Sequence, residues 1–105
     1  MKWTICIVLV LLFSMGTANA QCGIASHYGT ETGNHTASGE RLNPHAMTAA
    51  HRSLPIGTLI NVRAHGKSVH VRINDRGPFI RGRVLDLSDG AARVLGLGGT
   101  GRVCF

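Results

Sequence analysis

The stretch Val69–Phe79, V-H-V-R-I-N-D-R-G-P-F, decides how this chain is built. Val69, Val71 and Ile73 alternate with His70, Arg72 and Asn74, the period-two pattern of a half-buried strand. The strand ends at Asp75, because Gly77-Pro78 cannot continue it. A carboxylate is thus delivered at the end of a rigid element, beside the cation Arg76, where the chain turns. Such a place is fixed by the fold and open to a ligand. It equally suits a plain turn cap, since Asp often bonds the backbone ahead of Gly-Pro. On this stretch alone the cap is the simpler reading.

The neighbouring segments are of the same kind. Leu59–Arg63 alternates and joins the Val69 strand through a hairpin connection containing Gly66. Cys22–Gly29 holds a short strand with Ile24, Ser26 and Tyr28 on one side. Met47–Arg52 is small and partly apolar, a buried strand leading to His51. Arg83–Leu87 is another strand, with Val84 and Leu87 as inward candidates, and Gly101–Phe105 a closing one. One good helix is expected over Asp89–Leu95, with Ser88 as N-cap, Asp89 in the first turn and Gly96 as the stop. Thr30–Pro44 is a long polar loop carrying Glu31 and Glu40. About six short strands, one helix and no strand–helix alternation predict a small closed all-β barrel.

Not all 105 residues belong to that domain. Lys2, the apolar run Ile5–Phe13 and Ala18-Asn19-Ala20 read as a secretory signal over residues 1–20. The run is too short for a membrane span, so no stable anchor is expected after cleavage. Gln21 sits where a lipoprotein signal wants a small residue, which disfavours lipidation of Cys22. The domain is then 21–105, expected as a monomer in the periplasm or secreted. Cys22 and Cys104 stand at its two ends and read as a disulfide in an oxidising compartment. Closing so long a loop stabilises by about 4–5 kcal/mol in the chain-entropy model.

Once Lys2 leaves, ten Lys and Arg face five Asp and Glu, a net charge of +5, which calls for an acidic partner. Export argues against nucleic acid and for cell-wall glycan, acidic polysaccharide or lipid head groups. Glycine-rich Gly96–Gly101 lacks the Lys and the following helix of a phosphate loop. His65 and His70 flank a hairpin, but no metal-binding motif is present, and neither metal nor cofactor is expected. No nucleophile-elbow sequence supports a Ser-His-Asp triad. Of the carboxylates, Asp89 is accounted for by the helix and Glu31 has no context. Glu40, Asp75 and Asp86 remain. Glycosidic cleavage needs an acid at the leaving oxygen and usually a second carboxylate for the developing oxocarbenium charge.

The ordered runs G-I-A-S-H-Y-G, T-A-S-G-E, M-T-A-A-H-R-S-L-P-I-G-T and V-R-I-N-D-R-G-P-F-I-R-G-R-V-L-D-L-S resemble the RlpA (rare lipoprotein A-like) family, over Gly23 to about Val103. The resemblance implies a six-stranded double-psi β-barrel with one short helix. It further implies a lytic transglycosylase that cleaves the MurNAc–GlcNAc bond of peptidoglycan glycan strands without water, leaving 1,6-anhydro-MurNAc ends. Carried over by motif, Glu40, Asp75 and His51 are the catalytic candidates: one carboxylate as proton donor, the other as charge stabiliser or base, with His51 orienting them. Asn74, Arg76 and Asp86 join Tyr28 as candidate substrate-binding residues. In the related expansin and endoglucanase barrels the Asp of the D-L-S step, here Asp86, is the important acid, although a structural role in the turn before the helix fits it better. Arg76 would depress the pKa of a neighbouring carboxylate. The rival reading is a non-catalytic, expansin-like module that binds or loosens the wall; a weaker one is a secreted effector that binds another protein. No clear lipobox and no peptidoglycan-binding repeat is evident, so the resemblance does not carry over outer-membrane anchoring or septal recruitment.

Overall fold

The computed structural model describes residues 21–28 and 35–105. The secretory-signal reading of 1–20 and the side chain of Glu31 lie outside the described residues. The elements are β1 (Cys22–Tyr28), β2 (Thr48–Ala50), β3 (Leu59–Ala64), β4 (Lys67–Asp75), β5 (Arg83–Ser88), helix α1 (Asp89–Val94) and β6 (Gly101–Cys104). The strands close into a barrel in the order β1-β5-β2-β4-β3-β6. β1–β5 and β2–β4 are parallel, and the remaining neighbours are antiparallel. The all-β barrel expected from the sequence is what forms.

Local chemistry explains the joints. The β3–β4 hairpin turns on His65-Gly66, both at positive φ (53° and 73°), the geometry that matches the twist of two paired strands. His65 Nδ1 lies 3.1 Å from the carbonyl of Leu95 and ties this turn to the end of α1, while His70 pairs with Asn61 along the hairpin. The two histidines that flank the hairpin thus have different partners. Ser88 Oγ accepts the N–H of Ala91 (3.2 Å) and caps α1 as expected. Gly90 lets α1 approach the 44–47 segment: a Cβ there would meet the His45 carbonyl oxygen at 2.8 Å, and the Gly90 N–H donates to Pro44 (2.8 Å).

The core is filled by Val62, Val71, Ile73, Leu85, Leu87 and Val103, all essentially unexposed. Each large aliphatic side chain contributes about 1.5–3 kcal/mol by leaving water. Ala91, Ala92, Leu95 and Leu97 join the same cluster, so α1 adds to the core rather than lying beside it. Two facing assignments change. Ile24, grouped with Ser26 and Tyr28 on one side of β1, is exposed while Tyr28 and Ala25 are buried, and Leu85 with Leu87, not Val84, faces the core on β5. The register of β1 on β5 shifts between Ile24 and Ala25, which pairs Ala25 with Leu85 and leaves Ile24 at the surface. Cys22 and Cys104 are register partners on β1 and β6 and form a disulfide. Gln21 and Phe105 exchange backbone hydrogen bonds of 2.7 and 2.8 Å just beyond it.

Candidate active site

The barrel register sets out a row of side chains before any hydrogen bond is considered. Ser26 of β1 is opposite Asp86 of β5, Asp86 is opposite Ala50 of β2, and Ala50 is opposite Asp75 of β4. Lateral partners in a sheet share a face. Ala49, Ile73 and Leu87 point into the core, so this row faces outward. The β2–β4 register shifts between Ala49 and Ala50, so one step of β2 meets two residues of β4 and Asp75 arrives opposite Ala50. Such irregularities re-aim side chains at functional edges. Two strand spacings separate the backbones of Asp75 and Asp86, roughly 10 Å.

Glu40 reaches the same wall from the loop. The 35–41 segment folds into a tight turn, with Thr36 N–H on the Glu40 carbonyl (2.9 Å) and Gly39 N–H on the Thr36 carbonyl (2.9 Å). The turn is fastened to the end of β4: Ser38 N–H donates to the Asn74 carbonyl (3.1 Å) and Ala37 N–H to Asp75 Oδ1 (2.8 Å). Arg72 Nη1 and Nη2 then donate to the two Glu40 oxygens at 2.8 and 2.9 Å, and Asn74 Nδ2 adds a third bond at 3.0 Å. These bonds from Arg72, then Asn74, hold the Glu40 carboxyl below the usual carboxylate range.

The other members differ in environment. Asp75 Oδ1 accepts from Ala37 and from the Arg76 N–H (2.9 Å). Burial pushes the Asp86 carboxyl up, partly offset by the bond from Ser26 Oγ (3.0 Å) and the nearby cation Arg83. His51 is buried, and its Nδ1 accepts from the backbone N–H groups of Ser53 and Leu54, each at 3.0 Å. That assigns the proton of the neutral ring to Nε2. Burial, with Arg52 and Arg76 nearby, lowers the His51 pKa. Its backbone N–H also donates to the Asp75 carbonyl (3.2 Å). Tyr28 is 3% exposed, with its hydroxyl 3.3 Å from Thr48 Oγ1. Its ring therefore offers no open face for stacking. Burial raises its pKa, and the negative charges of Asp75, Asp86 and Glu40 add to the rise.

The Arg76 backbone stays on Asp75, but its side chain turns to backbone carbonyls. Its Nη1 donates to the carbonyls of His51 (3.0 Å) and Leu54 (2.7 Å), and no ion pair with Asp75 forms among the described residues. The arginine whose side chain hydrogen-bonds a carboxylate among the described residues is Arg72, which in the sequence is simply the outward half of an alternation. Its signal was there: Arg72 and Asn74 are two residues apart on one strand and so share a face. Ser26 was likewise placed on β1 without a partner. A separate cleft of about 250 Å³ lies between His27, Asp89, Arg93 and Leu97. Its His27 Nδ1–Asp89 Oδ1 pair (2.7 Å) involves none of the three carboxylates above. Among the described residues no three His, Cys, Asp or Glu side chains gather as a metal site.

A family model described as "Lytic transglycolase", of the double-psi β-barrel type, matches residues 20–105. The chain belongs to this family. It is 66% identical over 84 residues to a probable endolytic peptidoglycan transglycosylase RlpA of Nostoc sp., covering 75% of this chain and 23% of the relative. It is 47% identical over 87 residues to the endolytic peptidoglycan transglycosylase RlpA of Yersinia pestis, covering 80% of this chain and 24% of the relative. The chain thus spans about a quarter of the length of these curated relatives. Among solved structures, an expansin of Clavibacter michiganensis superposes with a TM-score of 0.65 at 26% identity, over 82% of this chain and 48% of the other. A point mutant of the same expansin, in complex with cellohexaose, superposes with the same TM-score of 0.65 at 25% identity.

Proposed function

We propose that this domain is an exported peptidoglycan lytic transglycosylase that cleaves MurNAc–GlcNAc bonds and leaves 1,6-anhydro-MurNAc ends. One observation carries the reading: the register sets Asp86 and Asp75 on either side of Ala50, and the 35–41 turn that carries Glu40 is fastened to Asp75 Oδ1 through the Ala37 N–H, so three carboxylates share one wall, with Glu40 held low and Asp86 pushed up. Family membership adds to it.

The bond cleavage divides among these groups. Glu40, kept ionised by Arg72 and Asn74, suits the anion that stabilises positive charge developing at the anomeric carbon. The same bonds make it a poor proton donor. Asp86, raised by burial, is the carboxyl suited to carry the proton to the leaving oxygen as the glycosidic bond breaks. Asp75, fixed through Oδ1 by two backbone N–H groups, offers Oδ2 as the base for the sugar's own 6-hydroxyl, whose oxygen then bonds to the anomeric carbon. His51 is a positioning residue: it holds the Asp75 backbone, and its carbonyl receives Arg76. This assignment departs from the sequence reading, which divided the proton between Glu40 and Asp75. The protein is proposed to work as a monomer, without cofactor, in the periplasm or outside the cell after loss of residues 1–20.

Mass spectrometry of sacculi digested with the purified protein tests this. Muropeptides or glycans ending in anhydro-MurNAc are expected, and Glu40→Gln or Asp75→Asn abolishes them. If wild type releases none from intact or peptide-stripped sacculi, the catalytic reading fails. Sacculus binding that survives Glu40→Gln would then favour the wall-binding module, which the cellohexaose-bound expansin keeps in view.

A further inference from the structure

Phe79 is 79% exposed, the most exposed of the large apolar side chains described, and Ile80 beside it is 56% exposed. Of the other aromatic side chains described, Tyr28 is buried, and Phe105 is half-buried and meets the His51 ring edge-on at 5.8 Å. The ring of Phe79 is placed rather than dangling. Gly77 has φ +114°, and a Cβ built on it would lie 3.4 Å from Phe79 Cε2 and 3.6 Å from Cδ2, so the ring rests along the Gly77 backbone. The chain below is anchored by Arg76 on the His51 and Leu54 carbonyls. The chain beyond is closed by Arg83 N–H on the Ile80 carbonyl (3.1 Å). Phe79 and Ile80 therefore stand in the middle of the 76–82 connection, which joins the strand ending in Asp75 to the strand carrying Asp86.

We propose that Phe79, flanked by Ile80, is the platform on which one sugar ring of the glycan stacks, positioning the strand across the Asp75–Asp86 wall. This rests on the proposed function. A flat aromatic face kept open beside a row of carboxylates matches a pyranose, which has apolar C–H faces and a polar rim. The open ring also explains how the site gains grip on a substrate although Tyr28, the aromatic singled out in the sequence, is closed off.

Binding to peptide-stripped glycan strands separates this from catalysis. In an Asp75→Asn background, Phe79→Ala is expected to weaken binding about 3–10-fold, a loss of the size of an aromatic contact, while Phe79→Trp or Phe79→Tyr restores it. The loss should persist at high salt, unlike a contact carried by arginine. With Asp75 intact, Phe79→Ala should raise KM for sacculi with kcat little changed. The melting temperature should stay put, because so exposed a ring contributes little to stability. Unchanged glycan binding by Phe79→Ala overturns the platform even if anhydro products form. Absent anhydro products with Phe79-dependent binding would instead sink the catalytic reading and keep the platform.

Discussion

Arg72 grips Glu40 with both terminal guanidinium nitrogens, 2.8 and 2.9 Å from the two carboxylate oxygens. The pair is about a third exposed on the acid side and somewhat more on the base side. Its contribution to folding is therefore under about 1 kcal/mol, yet it fixes which carboxylate stays charged. Stability and chemistry should part company here. Arg72→Met is expected to lower stability by less than about 1 kcal/mol while cutting anhydro-product formation more than about tenfold, a loss of about 1.4 kcal/mol at the transition state. Arg72→Lys should recover little, because an ammonium cannot reproduce the two-pronged grip. Denaturation and product assays on the same preparations check both halves.

Asp86 offers a test in pH. Its raised pKa comes first from burial, and the Ser26 hydroxyl works against that rise. Ser26→Ala removes a bond that favours the charged form, so the pKa should climb further. If Asp86 donates the proton, the basic limb of the rate profile moves to higher pH in Ser26→Ala. Asp86→Asn should remove turnover while remaining folded.

His51 predicts how stability responds to acid. Its folded pKa lies below the ordinary 6.5, because of burial and then Arg52 and Arg76. Between those two values the unfolded chain binds the extra proton and the native chain does not. Stability therefore rises with pH across that window and is lost as pH falls from 6.5 toward the depressed value. Urea midpoints measured from about pH 5 to 8 should show the slope. His51→Asn, whose side-chain oxygen can still accept the Ser53 and Leu54 N–H groups, should flatten it.

The Cys22–Cys104 bridge ties β1 to β6. Replacing both cysteines by serine is expected to cost about 2–5 kcal/mol and to lower the melting temperature on the order of 10–30 °C. Calorimetry of the double variant, beside reduced wild type, measures it.

The sequence made the local structure plain and the convergence only partly so. β4, the β3–β4 hairpin and capped α1 were legible because their signals are short-range: alternation, a glycine turn, Ser88 ahead of Asp89. Motif resemblance brought Glu40, His51 and Asp75 to one place. It could not say that Arg72 rather than Arg76 would be the partner cation, since that depends on where a loop about thirty residues earlier lands. The burial of Tyr28 and the facing of Ile24 turned on registers between strands about sixty residues apart, where one irregular step changes which side a residue presents. Asp86, read chiefly as a turn residue, gains its raised pKa only from a closed wall that no local pattern displays.

Ala50 stands between Asp86 and Asp75 on a strand only three residues long, hydrogen-bonded on both edges. The gap between the two acids is therefore a dimension of the closed sheet itself, not of a mobile arm. Such a machine has no way to loosen its jaws piecemeal. Heating should leave the rate-determining geometry intact until the whole wall opens, and residual activity should trace the unfolding curve rather than precede it.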